Sequence, residues 1–85
     1  MNYPSYSRLL EDYQHSVSSI ELLIDLKKSG KWGPVFNDDL VSAHETAAVK
    51  ARLLFAFLEL CNDARSSHYR DLAGSHELMA HIFKA

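Results

Sequence analysis

Apolar residues recur along the first third of the chain at Tyr6, Leu10, Tyr13, Val17, Ile20 and Ile24, at alternating intervals of four and three. That rhythm holds successive apolar side chains on one face of an α-helix, as in a coiled-coil seam. Leu9 and Leu23 widen the stripe on one side. Pro4 stands where a helix can start, and Ser5 or Ser7 can cap it. Glu11 and Asp12 lie towards the start and Lys27 and Lys28 in the last turn, the polarity a helix dipole favours. Ser29-Gly30 supplies a left-handed stop, so the pattern predicts a helix over about 5–29.

Residues 30–37 cannot continue it, because Gly33-Pro34 is a turn pair. A second stripe then runs through Leu40, His44, Ala47, Ala51, Leu54, Leu58 and Cys61, with the same alternation and with Val41, Ala48 and Phe55 flanking it. Asn37 or Asp38 offers an N-cap, and Ser42-Ala43-His44-Glu45 offers a second, later capping box. The predicted helix covers about 38–62 or longer, since Asn62-Asp63 and Ser66-Ser67 are weak stops. Gly74-Ser75 is a clearer break, and Leu78, Met79, Ile82 and Phe83 after it predict a short terminal helix over about 76–84.

Two helices of similar length joined by an eight-residue connection predict an antiparallel hairpin within one domain over residues 1–85. In that register Tyr13 falls near Ala51 and Val17 near Ala47, large against small, which lets the helices approach closely. The apolar residues are more than such a hairpin can bury. Leu22 and Leu26 lie on the far side of helix 1 from its seam, and Leu53 and Leu60 do the same on helix 2. The short tail covers one such patch, and the other is expected at an interface. The expected architecture is therefore an all-α hairpin with a short C-terminal helix, completed to a bundle by homodimerisation.

Charge and composition narrow the function. Nine basic and eleven acidic residues give a net charge of −2, spread without a basic stripe, which opposes nucleic-acid binding. No apolar run is long enough for a membrane span, and the N-terminus has no basic-then-apolar signal pattern, so a cytoplasmic location is expected. The single cysteine, Cys61, cannot form an internal disulfide and reads as a small buried residue on the seam of helix 2.

Candidate chemistry is sparse. His44-Glu45 and His76-Glu77 each begin like a zinc-protease helix, but no second histidine follows at the required fourth position. His81 comes five residues after His76, which turns the two rings apart, and Cys61 with His68 makes only two ligands. His44 falls on the seam, either as a packed, hydrogen-bonded ring or as a pH-sensitive contact. No serine sits in a nucleophile elbow and no glycine-rich loop can cradle a phosphate. Trp32 and Phe36 bracket the turn, where they can plug the end of the hairpin or anchor a partner.

The resulting expectation is a protein that works by contact, with no catalysis and no cofactor. It is a small interaction module that self-associates and binds and modulates, as an inhibitor, a larger protein. Leu22, Leu26, Trp32, Phe36, Leu53 and Leu60 are the candidate contact residues. The analogy is with short, weakly acidic helical inhibitors of host machinery made by phages and plasmids, and it rests on fold class alone. The competing expectation is a small DNA- or metal-associated regulator.

Overall fold

The computed structural model describes residues 5–30 and 35–84, and the regular secondary structure among them is all helical. The helices are α1 (Tyr6–Lys28), α2 (Val35–Leu60) and α3 (Ser66–Lys84). Trp32 lies outside the described residues.

Helix α1 begins with Ser5 in extended backbone, its Oγ accepting from the Arg8 N–H at 3.2 Å, which satisfies one of the orphan donors of the first turn. It ends where Gly30 takes φ +81°, a conformation costly for residues with a Cβ. Helix α2 starts at Val35, three residues before position 38. Half-buried Phe36 and Asp38 therefore lie in its first turn. An aspartate there complements the helix dipole much as a capping one does, so the charge pattern alone does not set the start.

The far end of α2 is sharply defined. Asn62 adopts φ +54°, and its N–H donates to the Glu59 carbonyl at 3.1 Å while the Asp63 N–H donates to the Leu58 carbonyl at 2.9 Å. Those two crossed bonds are a Schellman termination, with asparagine tolerating the left-handed position usually given to glycine. Cys61 falls in this terminal turn and is exposed, which corrects its expected place in the core. The apolar rhythm ran one step past the point where a neighbour covers the helix.

Helix α3 is the main departure from the sequence reading. It covers 19 residues rather than the expected nine or so, and passes through Gly74 and Ser75 without a break. An interior glycine costs a helix about 1 kcal/mol. Burial of Tyr69, Ala73 and Ala80 on one face outweighs that cost. The expected patch Leu78, Met79 and Ile82 is instead exposed, and of that group only Phe83 packs against the core.

The three helices share one core. Leu40, Ala47, Ala51 and Leu54 of α2 are fully buried, joined by Leu9, Tyr13 and Ile20 of α1 and by Tyr69 and Ala73 of α3. Ile24, expected on the seam of α1, is exposed, and Leu9 takes a core position instead. Helices α1 and α3 both pack on α2, while their own backbones stay apart. Glu59 contacts Ser66 and Glu45 contacts Lys84, so α3 runs back along α2. Tyr6 contacts Tyr69 and Lys27 lies over Phe83, so α1 and α3 run in the same direction.

Candidate functional site

The gap between α1 and α3 is bridged by side chains, mostly aromatic. At one end Arg65 stacks over the Tyr6 ring at 4.5 Å, and the Tyr6 and Tyr69 hydroxyls lie 3.3 Å apart. Tyr69 meets the Tyr13 ring edge-on, with centroids 6.0 Å apart. At the other end Lys27 lies 5.7 Å from the Phe83 ring centre. Burial and the Tyr6 contact push the Tyr69 phenol up to about 12.

The middle of this bridge is a hydrogen-bonded chain through all three helices. The Tyr13 hydroxyl lies 2.9 Å from Nε2 of His76, and Nδ1 of His76 lies 3.1 Å from Nδ1 of His44. His44 is buried and His76 half-buried. Phe83 stacks on His44 with centroids 5.9 Å apart and planes 18° from parallel. Burial lowers both histidine pKa values, and for His44 the neighbouring His76 adds to the effect. Burial raises that of Tyr13. All three groups are thus held neutral at pH 7. Among the described residues, every buried side-chain nitrogen or oxygen has a hydrogen-bond partner.

Tyr13, His76 and His44 are not arranged as a metal centre. The Tyr13 oxygen sits on Nε2 of His76, the opposite edge from the Nδ1 that meets His44, so the three donors cannot converge on one ion. Among the described residues no three histidine, cysteine or acidic side chains are grouped to hold one. Neither the His76-Glu77 pair nor the spacing of His76 to His81 points to this contact, and Tyr69 is not among the sequence candidates. The signal was nevertheless present, because Tyr69, Ala73, His76, Ala80 and Phe83 alternate four and three like the other two seams.

A shallow depression of about 490 Å3 lies between α1 and α2, lined by residues that include Asp12, Ser16, Ser19, Ser42, Thr46 and Lys50. The hydroxyls of Ser16 and Ser19 donate to carbonyls of their own helix, both at 3.2 Å.

The sequence-nominated contact residues are dispersed. Leu22 is 61% exposed on α1, while Leu26 and Phe36 are half-buried. On α2, Leu53 is 46% and Leu60 86% exposed, and Val49 joins them on the outward face at 57%. Leu78, Met79 and Ile82 form a separate exposed group on α3. No described helix is long and apolar enough to cross a membrane.

No protein-family model, curated protein or solved structure matches the chain.

Proposed function

We propose that the protein acts by contact in the cytoplasm, as a non-enzymatic helical module that forms a homodimer and binds and modulates a larger protein in the manner of an inhibitor. On this reading α1 and α2 form the antiparallel hairpin at its centre, and a second copy completes the bundle. One observation carries the proposal. The outward row Val49, Leu53 and Leu60 of α2 stays exposed even though a 19-residue α3 already lies along that helix. Exposed leucines singly are ordinary, but a row of three on one helix face is what an interface uses. A 9.6-kDa chain also gains stability by burying such a row against another copy.

The test is Leu53→Glu with Leu60→Glu, with solution mass measured by light scattering. Wild type is expected as a dimer and the double variant as a monomer that keeps its helical circular dichroism. Both side chains face outward, so a loss of fold would contradict their placement. A wild type that stays monomeric at high micromolar concentration ends the homodimer reading.

A further inference from the structure

We propose that Tyr13, His76 and His44 form an acid-sensitive latch that holds α3 against α1 and α2 and releases it when the histidines take up protons. The geometry limits how many protons the pair can hold. With Nδ1 facing Nδ1 at 3.1 Å, one of the two nitrogens carries hydrogen and the other must accept it. If Tyr13 donates to Nε2 of His76, then His76 donates through Nδ1 to His44. If the chain runs the other way, His44 donates to His76 and His76 to Tyr13. A first added proton fits as one imidazolium donating at both edges. A second places two N–H groups and two positive charges face to face, and the rings must separate.

Among the described residues no carboxylate is paired with either ring to offset even the first charge. From α1 the pair faces the neutral phenol of Tyr13, with Lys27 beyond the Phe83 ring. From α2, Glu45 follows His44 in sequence but is paired outward with Lys84. From α3, Glu77 follows His76 but is paired with Arg52, and His81 is exposed. No carboxylate contacts either ring among the described residues.

Because the backbones of α1 and α3 do not touch, this chain and the flanking aromatic contacts are what joins them. The sign of the response follows. The undocked state binds protons with ordinary histidine affinity, near pH 6.5, and the docked state binds them more weakly. Docking is therefore at full strength above about pH 7 and declines as pH falls through 6.5. The opening constant of α3 grows up to ~10-fold per pH unit if one proton is taken up, and up to ~100-fold if two are.

The experiment is amide hydrogen exchange on the intact chain at pH 7.5, 6.0 and 5.0, corrected for intrinsic rates, on wild type, His44→Asn with His76→Gln, and His81→Gln. The asparagine and glutamine side chains keep a polar amide at each position without titrating, although one amide cannot reproduce both ring edges of His76. Wild type and His81→Gln are expected to lose protection in α3 ahead of α1 and α2 as pH falls, and the double variant to show a flat profile. Equal loss across all helices, or a double variant that follows the wild-type profile, overturns the latch. Should the double variant fail to fold, histidine proton NMR of the wild type decides. His44 and His76 must then titrate below the ordinary histidine range, and in step with α3 exchange. Titration without any change in α3 exchange overturns the proposal.

Discussion

Helix α1 meets its two neighbours through different chemistry, packing its core face on α2 but reaching α3 only through side chains. The contact between α1 and α2 draws on Leu9, Ile20, Leu40 and Leu54, whose burial contributes a non-directional term with nothing to titrate. Between α1 and α3 the backbones stay apart, and long aromatic and imidazole side chains reach across with hydrogen bonds at their tips. Aliphatic contact tolerates small shifts and any pH. A directional chain is sensitive to both, because a lost partner leaves a buried polar atom unsatisfied. The molecule thus has one contact, of α1 on α2, that is robust and one, between α1 and α3, that is conditional, while α3 also packs its own core face along α2.

Removing bulk from the aliphatic side should produce the largest effect. Leu54 is fully buried, and Leu54→Ala is expected to cost about 2–5 kcal/mol by lost transfer energy and a residual cavity. Thermal or urea unfolding should register the same loss at pH 7.5 and at pH 6, since no titrating group is involved. A cost that shrank markedly on acidification would mean that the two contacts are not separable.

The matching change on the directional side is Tyr13→Phe. It keeps the ring against Tyr69 and removes only the hydroxyl bonded to His76 at 2.9 Å. Leaving that imidazole nitrogen without its partner should cost about 1–3 kcal/mol at pH 7.5, read by urea unfolding. Hydrogen exchange should place the loss mainly in α3. A loss confined to α1 would show that the hydroxyl supports its own helix rather than the bridge.

The two contacts were also unequally legible in the sequence. The seam of α1 is written in large aliphatic and aromatic residues and that of α2 in three leucines interleaved with small ones, and most positions of the two seams are buried. The stripe of α3 has the same period but is written as Tyr69, Ala73, His76, Ala80 and Phe83, and Gly74 sits inside it. Three of those five residues are small or polar and none is a large aliphatic, so an apolar count favours Leu78, Met79 and Ile82, which face solvent. The His44–His76 contact spans 32 residues and depends on how α3 lies along α2, which local periodicity does not carry. The exposure of Leu53 and Leu60 was readable for the opposite reason: once the stripe of α2 is placed, its far side follows from helix geometry alone.

Gly74→Ala should give the smallest change, and it sharpens the comparison most directly. Gly74 is exposed within α3, and a Cβ added there meets nothing within 4 Å. Alanine restricts the unfolded chain and favours the helix, with no steric cost to set against it. The variant is therefore expected to gain about 0.5–1 kcal/mol, measured as a raised urea midpoint at an unchanged slope. Exchange should slow in α3, while the pH at which its protection declines should not move, because no latch group has been altered. Destabilisation by this substitution would mean that residue 74 is a chain break and that the terminal helix starts after it. His76 would then lie in the first turn of a short helix, with too little of α3 before it to hold Tyr69 and Tyr13 in one bridge.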